Sequence, residues 1–271
     1  MEKLVMDRVS CHVTERCNLR CKMCSAFIPK LYELGNVPEY DMDELIKSFQ
    51  TYFELVERVR MISISGGEPM LHPRLAELLE FLLQYEERFT KLEVFTNGTL
   101  SIPEPVLKVM AKSEKMLLFV DHYGPEISKK VDEIKELCEK YNVRYTIRIY
   151  YGENAHMGGW FDKSFLKEKL SEEKAKEHFS KCVSTNMFTI FGKELVYCPM
   201  PYEGWAIGAI PRSDVLGVRL VDEETTLEEK YEKLVELCNV EYLPGCAWCN
   251  GVGIYEDVKR YVPAEQVKSK K

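Results

Sequence analysis

No stretch of the 271 residues comes near the run of about 18 consecutive apolar positions that a membrane-spanning helix needs, so nothing in the chain reads as a membrane segment. The opening Met-Glu-Lys-Leu-Val-Met-Asp lacks the apolar centre of a secretory leader. Positive charge is also in short supply. Lys and Arg number 37 against 44 Asp and Glu, a net charge of −7, which would repel the phosphates of a nucleic acid. The closing Lys-Ser-Lys-Lys is too short to reverse that balance and reads as a solvated tail. These shortages predict a cytoplasmic protein with neither a membrane nor a nucleic-acid partner. What the chain has in excess is cysteine, ten in all, and in a reducing compartment such a surplus points to metal rather than to disulfides.

Three of the ten, Cys17, Cys21 and Cys24, lie in the run Cys-Asn-Leu-Arg-Cys-Lys-Met-Cys, directly after a short apolar strand. Three thiolates at this interval can hold three irons of a [4Fe–4S] cube and leave the fourth open to a small molecule. Zinc is the alternative, because the pair Cys21 and Cys24 also suits a zinc ribbon. That site would need a further ligand nearby, and residues 25–43 contain no Cys or His. Downstream, residues 61–69 read Met-Ile-Ser-Ile-Ser-Gly-Gly-Glu-Pro, a β-prone run ending at two glycines where backbone can approach a ligand closely. An ordinary strand-to-helix turn is the plainer account, since Pro69 and Pro73 suit a helix start.

The cysteine triplet followed by Gly-Gly-Glu-Pro resembles the radical S-adenosylmethionine superfamily. The resemblance implies a [4Fe–4S] cluster on Cys17, Cys21 and Cys24, S-adenosylmethionine bound beside it, and an external electron donor such as flavodoxin or ferredoxin. Met23 stands where the family usually has an aromatic residue, so its contact to the cofactor's adenine would be thioether on ring. Ser65, Gly66, Gly67 and Glu68 would bend past the methionine end of the cofactor, with Glu68 facing its ammonium.

From residue 7 to residue 151 strand-like and helix-like segments alternate, which predicts an α/β fold with a parallel sheet and right-handed crossovers. Strands are expected at residues 9–13, 61–65, 92–96, 116–120 and 144–150, and helices at 41–58, 73–85, 103–112 and 127–141, with Asp41 or Asp43 capping the first helix. By resemblance this is a partial (β/α)6 radical SAM barrel over residues 1–180, its site at the C-terminal strand ends. Asn97, at the end of the third strand, is either a plain Asn-Gly turn or a contact to the cofactor's ribose. Asp121-His122-Tyr123-Gly124-Pro125 resembles a strand end of the anaerobic sulfatase-maturating enzymes, which places Asp121 at the ribose and Tyr123 toward substrate. On the fifth strand Arg148 can bind a carboxylate or a substrate oxygen in bidentate fashion, while Arg144 reads as a surface salt bridge. His156, in the glycine-bearing loop 152–162, is a further catalytic candidate.

Helical periodicity sorts the other cysteines. Cys138 shares a stripe with Ile127, Val131, Ile134 and Tyr141, and Cys238 with Leu227, Tyr231 and Leu234 on a helix opened by the capping box Thr226-x-x-Glu229, so both read as core, as does Cys11. Cys182, Cys198, Cys246 and Cys249 remain. Their order of cysteine, hairpin at 187–197, cysteine, helix, close pair resembles the twitch domain, a shortened SPASM-type appendage, here at residues 181–255 with a tail at 256–271. The resemblance implies a second, auxiliary [4Fe–4S] cluster on these four; a structural zinc is the alternative. The small architecture is similar to that of deoxy-scyllo-inosamine dehydrogenases. It implies oxidation of an alcohol carbon on a small carbohydrate-like metabolite, a sugar or cyclitol, to a carbonyl, with Arg148, Tyr123 and His156 in the substrate pocket. The alternatives are a radical sugar epimerase, a peptide maturase, and outside the enzymes an iron–sulfur electron carrier.

Overall fold

The computed structural model describes residues 3–251 and 259–267. The closing Lys-Ser-Lys-Lys, and residues 252–258 where the expected appendage meets its tail, lie outside the described residues.

Strand β1 (Leu4–Thr14) opens the fold, and the cysteine-bearing loop leads from it to the short helix α1 (Ile28–Glu33). Helix α2 (Met42–Leu55) begins where Asp41 accepts the Glu44 N–H at 3.1 Å, as expected of an N-cap, and buries Leu45, Phe49, Tyr52 and Phe53. Full burial of each such side chain contributes about 1.5–3 kcal/mol. The helix stops at Leu55, short of the expected residue 58, because Val56 is already extended and starts β2 (Val56–Gly66) against β1. The order continues through α3 (Leu75–Leu83), β3 (Phe89–Thr96), α4 (Glu104–Met110), β4 (Met116–His122), α5 (Val131–Tyr141) and β5 (Tyr145–Ile149). Asn142 ends α5 in the left-handed conformation that Asn tolerates. Then come β6 (Trp160–Phe161), α6 (Glu172–Lys181), β7 (Met187–Phe191), β8 (Glu194–Tyr197), α7 (Pro199–Ala206), β9 (Gly217–Arg219), α8 (Leu227–Cys238) and β10 (Arg260–Tyr261).

One eight-stranded sheet runs β5-β4-β3-β2-β1-β7-β8-β9, and β6 pairs with β10 outside it. Strands β1 to β5 pair in parallel, the arrangement expected of successive βα units. The sheet is left open, an α/β core of partial-barrel type. The hairpin of β7 and β8 is not hung on a separate sheet: β7 lies parallel to β1, with Cys11 opposite Ile190. Strand β1 therefore has parallel neighbours on both sides, and Val9, Cys11 and Val13 are completely buried.

The capping box on α8 forms as expected, with Thr226 and Glu229 satisfying each other's backbone. Its inward face differs from the expected stripe. Leu227, Tyr231 and Leu234 pack on the core as expected, but Cys238 is exposed, and Lys230 and Leu237 are buried beside the stripe, Lys230 paired with Asp222 at 3.4 Å. Cys11 and Cys138 are core, as expected. Among the described residues no helix is long and apolar enough to cross a membrane.

Candidate active site

The C-terminal ends of β2 to β5 and the cysteine loop enclose a cavity of about 480 Å³. Cys17, Cys21, Cys24 and Met23 line it from the loop, and Ser65, Gly66, Gly67, Glu68, Asn97, Asp121, Tyr123 and Arg148 line it from the strand ends. The parallel topology makes this gathering automatic, since every β-to-α turn of such a sheet leaves on the same side. His156 stands apart: it is exposed at the rim, its ring edge-on to Tyr150 with centroids 5.3 Å apart.

The two motifs are locked together by backbone. Gly67 N–H donates to the Thr14 carbonyl at 2.7 Å and Glu68 N–H to the Arg16 carbonyl at 2.8 Å, so the Gly-Gly-Glu-Pro turn lies on the segment leading into Cys17. A Cβ at Gly66 would sit 2.3 Å from the Thr14 oxygen and one at Gly67 2.2 Å from the Arg16 oxygen. The glycines are thus needed for close backbone packing between the motifs. Glu68 is fully buried, and its carboxylate accepts the N–H groups of Asn97 at 2.7 Å and Met70 at 3.1 Å, tying β3 to the turn. Burial pushes its carboxyl up to about 7, and no cation among the described residues offsets this. A buried carboxylate of that kind, on the wall of a cavity beside three thiols, fits a ligand that brings an ammonium.

Across the cavity Asp121 and Arg148 hold each other. Arg148 Nε donates to Oδ1 at 2.7 Å and Nη2 to Oδ2 at 2.9 Å, and the guanidinium lies over the rings of Phe95 and Phe119 at 5.0 and 4.9 Å. The Tyr123 hydroxyl donates to the same carboxylate at 3.4 Å. Burial pushes the Asp121 carboxyl up while Arg148 opposes the shift. Arg144, by contrast, is outside the site and caps the Glu114 carbonyl. Trp160 and Phe161 line the cavity from the glycine-bearing loop 152–162, while Lys163, Val183 and Ser184 carried no sequence signal. Those three come from loops, where no motif or periodicity marks a side chain.

Burial drives up the thiols of Cys21, to about 11, and Cys24, to about 12, and a metal bound there would supply the positive charge that favours their thiolate form. Asn97 Nδ2 lies 3.8 Å from Cys17 Sγ, and Gln266 Nε2 donates to Cys21 Sγ at 3.3 Å. Amide donors around sulfur are the usual setting of an iron–sulfur cluster. Among the described residues no three His, Cys, Asp or Glu side chains close on a single point, so the fit rests on the donor set and the spacing. In the second set, Cys182 ends α6, Cys198 precedes α7, and Cys246 and Cys249 flank Trp248. Burial raises the Cys198 thiol, and charge on Cys246, Cys249 and Cys182 would raise it further. Val183 and Ser184, next to Cys182, line the cavity itself.

Residues 11–131 match the family model of the Radical SAM superfamily. The chain is 29% identical over 143 residues to the GTP 3′,8-cyclase of Helicobacter pylori, 53% of this chain and 41% of that protein. It is also 29% identical over 122 residues to the S-adenosylmethionine-dependent nucleotide dehydratase of Selenomonas ruminantium, 44% of this chain and 40% of that protein. The chain thus spans about two-fifths of the length of these relatives. Among solved structures, BtrN in complex with AdoMet and 2-DOIA superposes with a TM-score of 0.55 over 97% of this chain and 100% of that one, at 16% identity. A histidine-tagged form of anSMEcpe with bound AdoMet gives 0.51 over 86% of this chain and 81% of that one, at 18% identity. At these identities the likeness is one of fold. The cysteine loop and the Gly-Gly-Glu-Pro turn, packed on one another, both lie inside residues 11–131, the segment that is similar to the Radical SAM superfamily.

Proposed function

We propose that the protein is a radical S-adenosylmethionine dehydrogenase, oxidising an alcohol carbon of a small polar metabolite such as a sugar or cyclitol, with a second [4Fe–4S] cluster on Cys182, Cys198, Cys246 and Cys249 as electron acceptor. The observation that carries this reading is the shared cavity, bounded by the first cysteine set on one side and by Val183 and Ser184, beside Cys182, on another. A substrate held there would lie between the two cysteine sets. Cys17, Cys21 and Cys24 would hold a cluster that, reduced and with S-adenosylmethionine beside it, would supply the radical chemistry needed to take hydrogen from an unactivated carbon.

The chain's own residues do the rest. Glu68 receives the cofactor's ammonium, which relieves the cost of its burial. Asn97 and Asp121 stand at the strand ends for the ribose. Arg148, fixed by Asp121 and by the rings around it, orients the substrate oxygen and cannot take its proton, because a guanidinium stays charged. Trp160 and Tyr123, edge-on with centroids 5.5 Å apart, offer flat apolar faces to the C–H surface of a ring. Lys163 also borders the cavity and can hold the alkoxide that a proton loss creates. An epimerase would need a free thiol to return hydrogen, and the cysteines lining the cavity are the cluster set alone; Cys11 and Cys138 are buried in the core and Cys238 is exposed elsewhere.

Anaerobic turnover with dithionite on candidate polyols tests the proposal. The expected product is a carbonyl two mass units below its substrate, formed with one 5′-deoxyadenosine. A product isomeric with its substrate, one mass unit heavier when formed in deuterated water, would replace the dehydrogenase with an epimerase.

A further inference from the structure

The described part of the C-terminal segment, residues 259–267, does not hang free. Strand β10 pairs with β6, whose Trp160 and Phe161 line the cavity, and the chain then crosses to the cysteine loop. There Cys21 and Gln266 form an antiparallel bridge. The Lys22 N–H donates to the Glu265 carbonyl at 2.8 Å and the Val267 N–H to the Arg20 carbonyl at 2.7 Å. An ion pair between Lys22 and Glu265 adds a side-chain tie. Ala264, completely buried with φ at +55°, marks the turn that aims the next residues at the loop.

The Gln266 carboxamide uses both of its ends. Its oxygen accepts the Arg20 N–H at 2.7 Å, and its nitrogen donates to Cys21 Sγ at 3.3 Å and to the Ala264 carbonyl at 2.7 Å. The second of those donor bonds fixes the direction of the first. A residue about 245 positions away in sequence therefore holds both the backbone and the sulfur of one of the three cysteines.

We propose that Gln266 is a positioning residue for Cys21 and raises the reduction potential of the cluster that this sulfur helps to hold. The proposal rests on the reading that Cys17, Cys21 and Cys24 bind an iron–sulfur cluster. A hydrogen bond to a ligand sulfur stabilises the more negative, reduced state, so its loss makes reduction harder. No other donor to Cys21 Sγ is present among the described residues, whereas Cys17 Sγ receives Leu19 N–H at 3.4 Å as well as Asn97. Gln266 is thus placed to act on one corner of the site.

The test compares the full-length protein with Gln266→Met, which keeps length and neutrality but has no donor, and with Gln266→Leu in case the first variant misfolds. In iron-free protein, alkylation of Cys21 by iodoacetamide, mapped by peptide mass, is expected to fall about fivefold in the variants, because the attacking thiolate loses the one hydrogen bond that stabilises it. In reconstituted protein, the midpoint potential of the EPR signal that S-adenosylmethionine perturbs is expected to move to more negative values. Wild-type protein that takes up no iron would defeat the reading of the cysteine triplet. Wild-type and variant proteins that load iron equally and share one midpoint potential would overturn the role of Gln266 and leave that reading standing.

Discussion

Asp121 and Arg148, on adjacent strands and opposite one another in register, form a two-pronged ion pair on the cavity wall, with donor distances of 2.7 and 2.9 Å. The sequence assigns them separate tasks, one at the cofactor and one at the substrate. Because they are bonded to each other, a change at either should be felt at both.

Arg148→Ala is therefore expected to lower product formation by on the order of 10- to 100-fold while 5′-deoxyadenosine release falls far less, raising the ratio of released deoxyadenosine to product. Arg148→Lys should not restore coupling, since an ammonium cannot fork onto a carboxylate. Equal losses in both products, measured by quantitative chromatography, would move Arg148 out of the substrate's reach.

Replacing Cys17, Cys21 or Cys24 with Ala should abolish 5′-deoxyadenosine formation. Reconstituted wild type should carry roughly eight irons and these variants roughly four, as two separate cubes require. Ala at Cys182, Cys198, Cys246 or Cys249 should lower iron content while leaving cleavage of S-adenosylmethionine measurable. Iron and sulfide analysis alongside a cleavage assay checks both statements, and zinc without iron in anaerobically purified protein would refute them.

Gly67→Ala puts a methyl group against the Arg16 carbonyl, its carbon only 2.2 Å from the oxygen. Overpacking of that kind costs about 1–3 kcal/mol. The loop of Cys17 must shift to relieve it, so the variant should melt several degrees lower and retain iron poorly. Wild-type melting and wild-type iron content together would contradict the packing argument.

A buried acid cluster gives a pH signature. His12 Nδ1 lies 2.7 Å from Glu15 Oε1 and 4.0 Å from Glu203 Oε1, and burial pushes the Glu203 carboxyl up to about 8. Burial alone would lower His12, but the Glu15 carboxylate outweighs it and the net shift is upward. Both groups hold protons more tightly folded than unfolded, so their contribution is greatest at low pH and is lost as pH rises, for Glu203 between its ordinary 4.5 and about 8. Thermal melts of iron-free Glu203→Gln should lose part of that decline and exceed wild type at pH 8. Parallel curves for the two proteins across pH 5 to 8 would show that Glu203 does not titrate in this window.

Residue type and spacing pointed to a candidate cluster site. Cys17, Cys21 and Cys24 and the Gly-Gly-Glu-Pro turn are local patterns, and their chemistry follows from neighbours a few positions apart. The parallel α/β order was legible for the same reason, since hydrophobic periodicity and caps such as Asp41 and Thr226 act within one element. Boundaries were less so: α2 gives way at Val56 because pairing of β2 with β1 outweighs continued helix, a competition decided by a strand more than forty positions away.

What only the tertiary structure decided is everything that depends on which distant segments meet. The same Asp121 and Arg148 that read as independent ligands become one ion pair once β4 and β5 align. Glu68 becomes a clasp between two strand ends, Cys238 lies at the surface although its stripe partners pack inward, and Gln266, unmarked by any motif, reaches the sulfur of Cys21. Sequence determines the chemical type of a side chain and its place along one element. The distance between side chains on different elements is set by packing and strand register, and it is that distance which decides whether two groups act alone or together.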